Sequence, residues 1–345
     1  LVEAEKIQKG MKVLVIRFSS IGDIVLTSPI VRTLKTAKHT VHFVTKVNYK
    51  EIVTSNPHID RVYTFQKSIS EVIPDLKAEQ YERIIDLHHN IRTMRLKWAL
   101  GVTSYSFPKL NWKKWQLVWI KRHRMPNIHV VDRYFQALEP LSLHNDGKGI
   151  DFFISIKEEI DTEKVFDFIP FEYIAVAIGG QFSTKQLPVE KMAEVLAKIG
   201  YPMVLLGGKE DVERANRLIS LLPKKQLTSA CGRFSLQQSA SIVKQSMMLI
   251  THDTGLMHIA SAFEVPIVSI WGNTVPALGM YPYRPTNAES FSVHEVQGLS
   301  CRPCSKIGFK QCPKGHFRCM VDQDTRAIAF DVETRAKKIP ANRDL

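Results

Sequence analysis

The chain has 345 residues, 44% of them hydrophobic and 23% charged, and carries a formal net charge of +13. That length suits two domains with a core each, and the balance is that of a soluble globular protein. No apolar run reaches the ~20 residues of a membrane-spanning helix, and the polar opening Leu1 to Gly10 has no secretory signal, so a cytoplasmic location is expected.

In chain order, Val13-Leu14-Val15-Ile16 reads as a buried strand. It runs into Ser19, Ser20 and Gly22, then into a helical pattern carrying Ile24, Val25, Ile30, Val31 and Leu34 that Pro29 interrupts. Val41 to Val44 and Ile84 to Leu87 are further strand candidates. The second half is more regular. Strands are expected at Tyr173 to Ile178, Met203 to Leu206, Met248 to Ile250 and Ile267 to Ile270, the last closing the series. Helices are expected at Val189 to Ile199, Asp211 to Leu222, Ser235 to Gln245 and Thr254 to Phe263. Strands alternating with helices predict an α/β protein of two doubly wound, Rossmann-like domains with parallel sheets. Turn residues at 145–149 and the polar stretch 157–164 place the boundary near 160, giving domains 1–160 and 161–345. Two such domains facing each other imply a ligand cleft at the carboxyl ends of their strands.

Three strand-to-helix turns carry candidate chemistry. Thr251-His252-Asp253-Thr254-Gly255-Leu256-Met257-His258 leads from a strand into a helix whose first N–H groups and dipole suit a phosphate or pyrophosphate. The alternative is that Asp253 only caps that helix. Arg17-Phe18-Ser19-Ser20-Ile21-Gly22-Asp23 offers an isolated carboxylate that is either a general base toward a hydroxyl or, again, a cap. After Gly179-Gly180, Gln181 to Lys185 brings a lysine able to neutralise a phosphate, or an ordinary surface lysine.

Taken together, these segments resemble the glycosyltransferase family 9 heptosyltransferases, which build the inner core of bacterial lipopolysaccharide. The likeness runs from Met11 to Ile24, through Ile85-Asp86-Leu87-His88 and Val131-Asp132-Arg133-Tyr134, to Asp253 to His258, Val265-Pro266 and Trp271-Gly272-Asn273-Thr274. It implies a GT-B architecture, with an acceptor domain first, a donor domain second, and a last helix packing back on the first. It also implies inverting transfer without a required metal, from a nucleotide sugar, ADP-heptose above all, to a lipopolysaccharide core or other lipid-linked saccharide; the alternatives are a transferase using another donor such as a UDP-sugar, or a non-catalytic sugar-nucleotide or nucleic-acid binder. The family's base falls on Asp23; its donor contacts fall on Gly180, Gln181, Lys185, Phe234, Asp253, Thr254, Gly255, Leu256 and His258. A ribose contact falls on Glu210 or Asp211, and acceptor contacts on Ser19, Ser20, Gly22, Arg92 and Arg95, arginine being suited to bidentate grip of phosphate or carboxylate. Leu187-Pro188 stands where the family often has Trp-Pro.

Two features lie outside that scheme. Between Asp86 and Asp132 there is no acidic residue, while Arg92, Arg95, Lys97, Lys109, Lys113, Lys114, Lys121, Arg122 and Arg124 all fall there. Within it Trp112, Trp115 and Trp119 share one helical face, which suits peripheral contact with an anionic membrane or, equally, core packing. Nucleic acid is not an expected partner, for no recognisable binding module is present. An NAD-type oxidoreductase is disfavoured by the absence of any G-x-G-x-x-G after a strand. The run Cys301-x2-Cys304-x7-Cys312-x6-Cys319, with His316 as a substitute, would hold a structural zinc or stay a reduced, metal-free loop.

Overall fold

The computed structural model describes residues 10–339; the opening segment on which the signal-peptide reading rests lies outside that range. The described chain divides into two compact units, 10–109 with 130–153, and 110–129 with 154–339.

The first unit carries β1 (Lys12–Ile16), β2 (Thr40–Lys46), β3 (Arg61–Phe65), β4 (Arg83–Asp86) and β5 (Ser104–Ser106). All pair in parallel in the order β3-β2-β1-β4-β5. Strand β1 is an unbroken apolar run because neighbours flank it on both edges and helices cover the sheet. Its Leu14 and Ile16 lie in a core with Phe18, Val44, Tyr63, Leu76, Ile84 and Leu96. The helical pattern after β1 becomes two helices, Ile21–Val25 and Ser28–Thr36, with Pro29 in the first turn of the second, where its missing N–H costs no hydrogen bond.

The second unit holds β6 (Ile174–Ala177), β7 (Met203–Leu206), β8 (Leu227–Ser229), β9 (Met248–His252), β10 (Ile267–Trp271) and β11 (Phe291–Glu295). Their order is β11-β10-β9-β6-β7-β8, again all parallel. Alternate residues feed two cores: Ile174 and Val176 on one face, Tyr173, Ala175 and Ala177 on the other. Strand β10 does not close the series, since β11 pairs beside it from Ile267–Phe291 to Trp271–Glu295.

In both sheets the chain winds outward in one direction and then returns to wind in the other. The reversal falls between β1 and β4 in the first sheet and between β6 and β9 in the second. Open α/β sheets bind ligands outside the carboxyl ends of strands at such points. The segments after β1, β4, β6 and β9 contain most of the candidate residues, while Glu210 and Asp211 follow β7 and Phe234 follows β8.

Two expectations are corrected. The last described helix, Thr325–Ala336, buries Ile328, Ala329, Val332 and Ala336 in the second unit's own core, rather than in the first unit's. Its Thr325 hydroxyl donates to Glu194, and its Glu333 accepts from the Gly200 N–H. Residues 110–129, on the N-terminal side of the expected boundary, belong to the second unit. There Leu117 and Met125 pack with Leu278, and the Lys121 ammonium donates to the carbonyls of Cys301 and Pro303.

Candidate active site

In the first unit, β1 delivers Arg17 and the loop to Asp23. The Asp23 carboxylate is not isolated. One oxygen lies 2.5 Å from the Arg17 guanidinium, and the other accepts from the Ser20 hydroxyl at 2.7 Å and the Ser20 N–H at 3.3 Å. Asp23 therefore does close a capping interaction at the start of Ile21–Val25, yet a quarter of its side chain stays exposed (25%). Capping and access to a hydroxyl coexist at this residue.

Arg17 ties the loop together. It donates to the Ser19 carbonyl at 2.9 Å and to the Leu87 carbonyl after β4, and its guanidinium sits 5.9 Å from the Tyr134 ring centroid. Burial alone would lower its pKa; Asp23 and Tyr134 raise it overall, so the guanidinium is a permanent charge beside the carboxylate. Arg92 lies 5.6 Å from the Phe18 ring, and His88 packs on that same ring at 4.8 Å. Burial, then the charges of Arg17, Lys109 and Arg92, push His88 down to about 3, so its imidazole is neutral. Of the expected acceptor residues, Ser20 touches Asp23, Ser19 takes the Arg17 hydrogen bond, and Arg92 stacks on Phe18. Gly22 is buried within its helix, and Arg95 is exposed three residues beyond Arg92.

In the second unit the reversal point brings the β6 and β9 loops together. Lys185 Nζ lies 2.7 Å from Asp253 Oδ2, and the Thr274 hydroxyl, from the loop after β10, donates to the same oxygen at 2.9 Å. Asp253 does not cap the following helix. The cap position of Gly255–Ala262 is Thr254, whose side chain accepts nothing from the helix and instead meets the Thr251 hydroxyl at 3.1 Å. Thr254 makes no side-chain cap hydrogen bond to that helix, and an N-terminus left so beside Lys185 has the chemistry to take an anion. A Cβ at Gly180 would stand 3.5 Å from the Thr254 methyl, which places the β6 loop against this turn.

Other expected donor residues take different places. Gln181 is exposed; Leu256 is partly buried against the sheet, and His258 is 2% exposed one turn into the helix. Phe234 packs at 5.8 Å on Phe166, with the Arg233 guanidinium 5.2 Å from its ring. Asp211 is buried, accepts the Gly208 N–H at 2.9 Å, and lies so close that a Cβ at Gly179 would be 2.2 Å from its carboxylate. It is a loop-closing residue, while Glu210 is exposed.

Sequence reasoning missed three groups. Arg17 stood in the quoted motif without a role. His252 Nε2 accepts the Leu187 N–H at 2.9 Å, and Arg214 donates to the Leu187 carbonyl, so the two hold the Lys185 loop at both backbone groups of one residue. Complete burial, with Arg214 nearby, pushes His252 down to about 3, which keeps that ring nitrogen an acceptor. The available signal was position: His252 directly precedes Asp253.

All four C-terminal cysteines are free thiols. Cys304 donates to the Cys301 carbonyl at 3.0 Å, and Cys301 lies 3.8 Å from His316 Nε2. Burial pushes Cys304 up to about 11 and Cys319 up to about 12. Among the described residues no three His, Cys, Asp or Glu side chains converge as metal ligands, so the geometry lends the zinc expectation no support.

Comparison with known proteins gives a consistent result. The family model of glycosyltransferase family 9 (heptosyltransferase) matches residues 69–308. Lipopolysaccharide heptosyltransferase 1 of Pseudomonas aeruginosa is 25% identical over 329 residues, covering 86% of this chain and 86% of the relative. A glycosyl transferase family 9 crystal structure from Veillonella parvula superposes with a TM-score of 0.76 at 22% identity, covering 95% of this chain and 98% of that one. An Escherichia coli heptosyltransferase solved with ADP has a TM-score of 0.63 at 20% identity, covering 94% and 100%. The two parallel sheets thus have a GT-B-like, heptosyltransferase-type fold.

Proposed function

Because the chain belongs to glycosyltransferase family 9 it is a glycosyltransferase, and we propose that it moves a heptose from ADP-heptose to a saccharide of the lipopolysaccharide core, with inversion at the sugar. The second unit takes the donor and the first the acceptor. The observation that carries this proposal is the uncapped N-terminus of Gly255–Ala262 beside Lys185 and Asp253, at the strand reversal where nucleotides bind in this fold. ADP as the nucleotude half is supported by the Escherichia coli relative, which was solved with it.

The acceptor hydroxyl attacks the anomeric carbon and passes its proton to Asp23, while the bond to the nucleoside diphosphate breaks. Asp23 is suited to this because Arg17 stabilises the charged carboxylate and part of it remains exposed. Charge grows on the departing diphosphate. The helix N-terminus and Lys185, which keeps Asp253 on one N–H and turns another to the diphosphate, stabilise that charge without a divalent cation.

Asp23→Asn keeps the shape of the loop and removes the base. Transfer should fall by ~10²–10⁴-fold in kcat with little change in KM for ADP-heptose. Activity within a few-fold of wild type would reject Asp23 as the base. Product formed faster from a UDP-sugar than from ADP-heptose would reject the donor.

A further inference from the structure

We propose that two helices of the segment 91–124, each by itself, bind an anionic lipid bilayer surface: Ile91–Leu100 in the first unit and Asn111–Trp119 in the second, each with an unpartnered apolar stripe. On the former, Ile91, Met94 and Trp98 recur at helical spacing and are 72%, 59% and 88% exposed. On the latter, Trp112, Trp115 and Trp119 are 66%, 43% and 70% exposed, and Trp112 stacks on Trp115 at 4.9 Å. Neither stripe is core. The buried residues of the second helix are Gln116, Leu117 and Val118, on its other side.

Exposed tryptophans at this density are costly in water and match the depth of lipid headgroups, where an indole ring has apolar and polar surroundings at once. The charge around them selects the lipid. Arg95, Lys113, Arg122 and Arg124 are exposed on the same segment, and no acidic residue occurs from 87 to 131 to offset them. Lys97 and Lys121 are excluded from this set, since Lys97 pairs with buried Asp86 and Lys121 is held by the carbonyls of Val118, Cys301 and Pro303. Tryptophans flanked by unopposed arginine and lysine fit a negatively charged bilayer, each cation adding attraction that salt screens.

The chain supplies its own probe. Four of its five tryptophans lie in this segment and are exposed, and the fifth, Trp271, is buried. Full-length protein is mixed with phosphatidylglycerol vesicles, without nucleotide or saccharide, and with phosphatidylcholine vesicles as the neutral comparison. The expected result is a blue-shifted emission and quenching by brominated acyl chains on phosphatidylglycerol only, reversed by salt. Changing Trp112, Trp115 and Trp119 to alanine should weaken vesicle binding roughly ten-fold or more, and Trp98→Ala should weaken it independently. Because these side chains are exposed, the variants should keep the wild-type Tm. Unquenched emission, equal binding to neutral vesicles, or a tryptophan signal that follows protein concentration alone, as for a second copy of the chain, would overturn the proposal. The vesicles contain no acceptor, so failure here leaves the transferase proposal standing, and the reverse.

Discussion

Arg17 shows how much one side chain organises. Its guanidinium holds Asp23 and the carbonyls of Ser19 and Leu87, so it joins the ends of β1 and β4 at the strand reversal. Lysine, with a compact ammonium in place of the planar five-donor fork, would not reproduce the geometry of these contacts. Arg17→Met should destabilise the protein by about 3 kcal/mol, near the low end for breaking a buried pair because Asp23 is partly solvated. Urea unfolding checks this; a loss under about 0.5 kcal/mol, the range of neutral surface changes, would reject the clamp. Asp23 itself was legible from its place after a buried strand. Its partner was not, because nothing local distinguishes an arginine that turns back to the loop from one that points to solvent.

At the scale of elements, the long buried strands and amphipathic helices were readable, and the sheet edges were not. Strands β5 and β8 have three residues each, too few for a period to register, and β11 is half-exposed along its whole length. Such an edge is held by side chains. Asp331, on the last helix, accepts from Ser292 and from His294 Nε2 at 2.9 Å, both on β11, and from Arg335 Nε at 2.8 Å. Burial would raise this carboxylate, but those hydrogen bonds and the Arg335 charge bring it down to about 2. A depressed carboxylate contributes stability that is complete above the unfolded value near ~3.9 and is lost as pH falls through about 2. Asp331→Asn should therefore cost about 1.5–3 kcal/mol at neutral pH. The difference from wild type should shrink below pH ~4. A penalty that stays constant from pH ~6 to ~3 would show that β11 is not held in this way.

For the whole molecule, the expectation is that the donor site works as a unit and needs no metal. ADP at roughly 100 times its Kd should stabilise the folded chain by about 2.7 kcal/mol, seen as a rise in Tm, with or without EDTA. Asp253→Ala should abolish most of that rise, since Asp253 positions both Lys185 and Thr274. A shift that disappears on chelation would place a cation in the donor site. The formal charge of +13 is a property of the whole chain too, but its concentration between Asp86 and Asp132 gives it a direction.

By itself the sequence determined two α/β units, the strands at their centres, and the turns after β1, β6 and β9 in which Asp23, Lys185 and Asp253 stand. These depend on local apolar runs and helix starts, and local patterning specifies them. Tertiary structure decided which groups meet. Lys185 and Asp253 are 68 residues apart in the chain and touch because β6 and β9 are neighbours in the sheet, an order that no single segment encodes. The same holds for Asp253 binding Lys185 instead of capping its helix, and for the second unit taking residues 110–129. The tryptophans of Asn111–Trp119 had an apolar face by spacing alone; only the packing of Leu117 against Met125 and Leu278 decided that the opposite side would be buried and the indoles left outside.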